Sequence, residues 1–314
     1  MSEEDGPTPV ESHKDRPMVR PHIPAVDSII GVKHPVLQHG YVVLVDYMGN
    51  DAAIVQAARV SYGLGTRTAR DDRALIRYLM RHNHTTPFEM VEFKFLVRLP
   101  MYVARQWIRH RTASVNEVSA RYSIVPDEFD VPEPEAIRGQ AARNRQGRSG
   151  ETLPSETVEA FRSRVKLVSE EAYDIYQQSL NQGVARELAR IVLPVGVYTE
   201  WYWKMNLHNL FHFLELRLDD HAQEEIRLYA NIIADIVKEV VPVAYEAFED
   251  FVLGSESFSR SELTAISAML EGAGKEEACK KAGLPLTHQD GSPMKSGEGV
   301  EFLEKLSRVS RKTK

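Results

Sequence analysis

A single cysteine, Cys279, stands in the 314-residue sequence, so an intramolecular disulfide and a thiolate-rich metal cluster are both excluded. No apolar run approaches the roughly 20 residues that span a bilayer. The opening MSEEDGPTPVESHKDRP has neither the basic start nor the apolar stretch of a secretory signal. Together these absences point to a cytoplasmic protein without a membrane partner. Excess positive charge is missing too: the formal net charge is −6, which argues against a nucleic-acid partner and requires any anion site to be a local cluster of arginines. G-x-S-x-G, the Walker A loop and G-x-G-x-x-G are all absent; Gly63-Leu64-Gly65 lacks the third glycine of a dinucleotide fingerprint.

What is present is an ordinary globular composition, long enough to bury a sizeable core. Three segments follow from its variation along the chain: a polar, loosely packed lead over 1–35, a main domain over 36–253, and a helical extension over 254–314. In the main domain Tyr41 to Asp46 is β-branched and ends at the turn Met48-Gly49-Asn50, which predicts a strand. Helices fit 51–60 and 71–81. Thr86-Pro87-Phe88-Glu89 has the capping-box pattern with proline at the first helical position. Val91, Phe93, Phe95, Val97 and Leu99 alternate with polar residues as in a half-buried strand, and Pro100 then opens a helix over 101–110. Residues 137–157, rich in glycine and arginine, read as a loop. Helices follow over 158–181, 184–192, about 195–217 and 222–240, and in the extension over 260–271, 274–282 and 298–309.

Chemistry concentrates in residues 105–121, where Arg105, Arg109, Arg111 and Arg121 are interleaved with His110, Ser114, Asn116, Glu117 and Ser119. Planar guanidinium groups bind phosphate bidentately and hydroxyls supply further donors. The bland alternative is a solvated basic face, but Asn116 and Glu117 add the acceptors that a phosphate-plus-base site needs. Arg186 and Arg190, then Arg217 and His221, are spaced four apart, which suits either anion binding or salt bridges with Glu215, Asp219 and Asp220. The aromatics Tyr198, Trp201, Tyr202, Trp203, Phe211 and Phe213 fit a core better than a cofactor cradle. His82 and His84, and His208 and His212, have metal-compatible spacing, yet no H-E-x-x-H or nearby cysteine accompanies them, so no metal is expected. Spacing alone reaches a multi-arginine anion site on a mixed scaffold.

RHRTASVNEVSARYS at 109–123 resembles the signature R-H-R-x-x-S-x-N-E-x-S-x-R-Y of the flavin-dependent thymidylate synthases (the ThyX family), and it matches at every fixed position. The resemblance runs from about Gly40 to Phe251 through AARVS, HTTPFE, ARQWIRHR, ARIVLP and LRLDDHAQ. It implies an α+β fold with a twisted β-sheet and long helices, assembled as a homotetramer whose active sites are shared between subunits. It implies reductive methylation of dUMP to dTMP, with methylenetetrahydrofolate as carbon donor, FAD as hydride carrier, NADPH as reductant and no cysteine nucleophile.

Carried over by position, the resemblance gives dUMP to Gln106, Trp107, Ile108, Arg109, Glu117, Val118, Ser119, Ala120, Arg121, Arg190 and Arg217. Ser119, Arg121 and Arg190 fall near the phosphate. FAD falls to Ser61, Thr86, Glu89, Arg109, His110, Arg111, Glu117, Asn206, Leu207, His208 and His212. His84 lies beside flavin and folate, and Arg217 is the catalytic residue, facing the pyrimidine where its charge favours the anionic imide. Other outcomes of the same reading are a flavin- and folate-dependent methyltransferase acting on uridine in RNA, and a non-catalytic flavin- or nucleotide-binding tetramer.

Overall fold

The computed structural model describes residues 22–60, 72–141, 147–288, 292–294 and 297–312. The strands are β1 (Lys33–Val36), β2 (Gly40–Met48), β3 (Glu92–Pro100), β4 (Ser114–Glu117), β5 (Arg138–Gln140), β6 (Arg148–Thr152) and β7 (Tyr198–Asn206). The helices are α1 (Pro24–Asp27), α2 (Asp51–Val60), α3 (Asp72–Arg81), α4 (Thr86–Glu89), α5 (Met101–Trp107), α6 (Ser155–Asn181) and α7 (Arg186–Ala189). They continue as α8 (Leu207–Leu218), α9 (Glu224–Val240), α10 (Pro242–Phe248), α11 (Arg260–Leu270), α12 (Lys275–Lys281) and α13 (Glu298–Lys312). The fold is α+β: one antiparallel sheet, in the order β1-β2-β3-β7-β4, carries helices against its apolar face.

Period-two alternation builds that face. Phe93, Phe95, Val97 and Leu99 of β3 are fully buried, and Trp201, Trp203 and Met205 of β7 lie beside them. Trp107, from the end of α5, stacks on Phe213 of α8 with centroids 4.8 Å apart and meets Trp203 edge-on at 5.1 Å. Such aromatic pairs add about 0.5–1.5 kcal/mol beyond the area they bury. Helix α9 closes the layer with Ile226, Tyr229, Ile233 and Val237, all at zero exposure.

Several expectations are corrected. The helix expected over 195–217 is two elements, strand β7 followed by α8. Trp201, Trp203 and Met205 point inward while Glu200, Tyr202 and Lys204 point outward, and full pairing with β3 makes the extended form the better burial. Asn206 then caps α8 by accepting from Asn209 N at 3.0 Å. The capping box at Thr86 does not form. Thr86 is already helical, and Thr85 before it has a helical backbone (φ −81°, ψ −39°) that makes no side-chain cap. The 137–157 stretch contains a hairpin, β5 with β6, around residues outside the description. Helix α5 stops at Trp107, which leaves Ile108 on the surface.

The sheet also reaches back into the segment expected to be loose. Strand β1 pairs with β2 from Lys33 to Val36, and Val26 of α1 is fully buried in the core. The extension forms its own small core from Ala265, Ala268, Ala278, Cys279, Leu284 and Phe302. A true capping box opens α11: Ser259 Oγ accepts from Glu262 N, and Ser259 N donates to Glu262 Oε2 at 2.6 Å. Lys305 of α13 reaches the same carboxylate at 2.7 Å.

Candidate active site

Helix α5 ends in the fully buried Trp107, which anchors the chain just before Arg109 and His110. Beyond them β4 pairs with β7 at the sheet edge, Glu117 opposite Trp201. All four β4 residues are exposed. Thr199 Oγ1 donates to Glu117 Oε1 at 2.5 Å, and Val118 N donates to Glu200 O at 2.8 Å, so the second half of the arginine-rich run is fixed to β7.

The run then turns. Tyr122 N and Ser123 N both donate to Ser119 O, and Arg121 N donates to Ser119 Oγ at 3.3 Å. The Arg121 guanidinium lies 3.4 Å from Glu187 of α7, while Arg186 donates to Tyr122 O at 2.8 Å. Arg190 is exposed at the start of the 3-10 turn that continues α7. Ser119, Arg121 and the α7 turn with Arg190 thus form one donor-rich group at the surface. Glu187 within it is a removable carboxylate partner that holds Arg121 at only moderate distance.

A second group forms where α8 ends. Arg217 Nε donates to His110 Nε2 at 3.0 Å, joining residues far apart in sequence. The His110 ring packs 4.9 Å from Phe213 and 6.3 Å from His212. Burial, then the neighbouring Arg217 and His212 charges, push the His110 imidazole down to about 4. It is therefore neutral near pH 7, and because Nε2 accepts, its proton sits on Nδ1. Burial also lowers the Arg217 guanidinium from its ordinary value, though a guanidinium stays charged. Asn206, Leu207 and His208 open α8, which packs against α4 with Thr86 and Glu89; Phe88 meets Phe211 at 6.5 Å. His84, exposed, forms a ring cluster with Tyr78 and His82 just before α4.

The structure qualifies some assignments. Trp107 and Leu207 have fully buried side chains, so only their backbone groups can face a ligand. Ser61 lies outside the described residues. Helix α4 is a single turn and offers no extended dipole to an anion. His212 Nδ1 lies 3.5 Å from Glu215 Oε2. Two contacts escaped sequence reasoning: Thr199 with Glu117, and Gln106 with Gln223. Recognising β7 as a strand would have pointed to the first, since it puts Thr199 two residues from Trp201, the register partner of Glu117. The cleft between α3 and α10 belongs to neither group. Its Arg73 and Arg77 are paired with Glu246 and Asp250.

An exposed edge strand, a surface cluster of arginine and serine donors, and a neutral histidine bonded to a half-buried arginine are set on this α+β scaffold. The family described as "Thymidylate synthase complementing protein" matches residues 43–243, and the chain belongs to that family. A flavin-dependent thymidylate synthase of Thermus thermophilus is 58% identical over 250 residues, covering 80% of this chain and 90% of the relative. The protein of the same name from Ruegeria pomeroyi is 54% identical over 253 residues, covering 79% and 83%. Among solved structures, the UMP/dUMP methylase PolB of Streptomyces cacaoi bound with 5-Br dUMP superposes with a TM-score of 0.62. It is 35% identical, covering 70% of this chain and 98% of that one.

Proposed function

We propose that the chain methylates dUMP at C5 to give dTMP, with methylenetetrahydrofolate as carbon donor, FAD as flavin and NADPH as its reductant. The observation that carries this reading is the 3.0 Å bond between Arg217 and His110, which joins the signature run to the end of α8. Neutral His110 engages Nε of Arg217, and both terminal nitrogens of the guanidinium, without a partner among the described residues, are available to a pyrimidine carbonyl. Negative charge gathering on the ring as C5 is made nucleophilic is then offset by a fixed, partly desolvated cation. Ser119, Arg121 and Arg190 take the phosphate, with Glu187 released from Arg121 as it enters.

The donor set suits a flavin dinucleotide. Arg109 and Arg111 are exposed, Asn206 and His208 stand at the start of a twelve-residue helix, and Glu117 offers an acceptor at the far end of β4. Bound there, the flavin supplies the reducing hydride. Arg109, His110, Arg111, Thr86, Glu89 and His212 would hold and orient it, and His84 would stand beside flavin and folate.

Both groups are open in a single chain, and apolar side chains surround the phosphate group: Tyr122, Ile124, Leu188 and Ile191 are each at least half exposed. That combination supports a homotetramer in which neighbouring subunits complete each site. The test is tritium release from C5-labelled dUMP. Release should require folate, flavin and reductant together, and a protein that releases none with all components present is not this enzyme.

A further inference from the structure

A polar chain runs from the β5–β6 hairpin to Gln106. Arg148 of β6 donates through one terminal nitrogen to Glu224 Oε2 at 2.8 Å and through the other to Glu225 Oε1. Glu225, in the first turn of α9, is 4% exposed. Gln223, the residue preceding that helix, donates Nε2 to Glu225 Oε2 at 2.7 Å. Its carbonyl oxygen accepts from Gln106 Nε2. Alongside, Asp130 lies within Coulombic reach of Arg148 and Glu225 and accepts from Tyr102 Oη at 2.6 Å. Helix α5 is thereby held at Tyr102 and again one turn later at Gln106.

The direction of these bonds follows from chemistry. An ionised carboxylate only accepts, so Glu225 compels Gln223 to turn its NH2 inward. Gln223 then has only its carbonyl oxygen for its other neighbour, and Gln106 must answer with an N–H. Arg148 makes the arrangement sustainable, because a buried carboxylate without a partner is expensive to keep. Charge at one end thus dictates amide orientation two residues away.

We propose that Arg148, Glu225 and Gln223 are positioning residues: a relay that sets the Gln106 amide, and with it the end of α5 leading into Arg109 and His110, for nucleotide binding. In this reading none of the three contacts the nucleotide. The proposal rests on the reading of Gln106 as a dUMP contact.

The test uses the full flavin-loaded protein and measures the Kd of dUMP by equilibrium dialysis, steady-state kinetics and melting temperature. Glu225→Gln, which can offer an N–H where the carboxylate only accepts, should raise Kd and KM for dUMP about tenfold and leave kcat within about threefold. Combined with Gln106→Ala it should add nothing to the loss from Gln106→Ala alone, because the relay then ends on a missing amide. Wild-type dUMP affinity in a Glu225→Gln protein that melts normally, or additive losses in the double variant, would overturn the relay. Should Glu225→Gln not fold, Gln223→Met leaves the Arg148–Glu225 pair intact and carries the same expectation; unchanged affinity there overturns it equally. Failure of the wild type to bind dUMP removes the functional reading together with the relay, whereas wild-type binding with unaffected variants removes the relay alone.

Discussion

Protonation of His110 should cost the protein stability in mild acid, by an amount the structure sets. The imidazole is pushed from 6.5 down to about 4, first by burial and then by Arg217 and His212. Its folded value is depressed, so the associated stability is fully present above 6.5 and is lost as pH falls toward 4. Between pH 7 and pH 5 the unfolded imidazole takes up about three quarters of a proton and the folded one about a tenth, a difference of about 2 kcal/mol. Asp51 and Asp130 act in the opposite sense, because burial raises both carboxyls and favours their protonated folded forms at low pH. The informative quantity is therefore a difference between two proteins. Urea denaturation of wild type and His110→Gln at pH 7 and pH 5, at matched protein and flavin concentrations, should show the wild type losing about 2 kcal/mol more than the variant. Glutamine can still accept from Arg217 but does not titrate. Equal losses in the two proteins would refute the reasoning.

Arg217→Ala should lower kcat about 100-fold or more while weakening dUMP binding less than about tenfold, since its proposed work is on charge that develops during reaction; single-turnover kinetics and dialysis separate the two, and wild-type turnover would refute the assignment. Cys279→Ser should leave activity unchanged but destabilise the extension by about 1–2 kcal/mol, read by urea denaturation, because the hydroxyl replaces a buried thiol in an apolar cluster. Asp51→Ala should cost about 1–2 kcal/mol in the same assay, since this carboxylate accepts from Val243 N and Ala244 N at the start of α10; a neutral outcome would mean that water replaces the cap. Trp203→Ala should cost about 3–5 kcal/mol, as it empties the centre of the aromatic layer.

Much of this fold could be read from residue pattern where one period dominates. Strand β3 was legible because Val91, Phe93, Phe95, Val97 and Leu99 recur at every second residue, and α6 because Val158, Phe161, Val165, Val168, Ala172 and Ile175 keep alternating three- and four-residue spacing. Strand β7 was not. Trp201 and Met205 are four apart and Trp201 and Trp203 two apart, so helix and strand templates both fit, and only pairing with β3 on one side and β4 on the other decides. Local turn chemistry misled in the same way at Thr86, where the capping pattern is present but the preceding backbone is already helical.

That one misread strand governs how much of the site could have been inferred. A continuous helix over 195–217 would be about 34 Å long and would carry Arg217 away from the sheet edge that bears the signature run. In the actual fold β7 runs antiparallel to both β3 and β4, and α8 returns across the apolar face. Phe213 thereby lies against Trp107, and Arg217, one turn further, reaches His110, three residues beyond Trp107. The side chains that meet were identifiable as chemistry from their types alone. Their meeting depends on aromatic packing between α5, β7 and α8, so the bulky core that looks inert in sequence is what sets the geometry of the arginine.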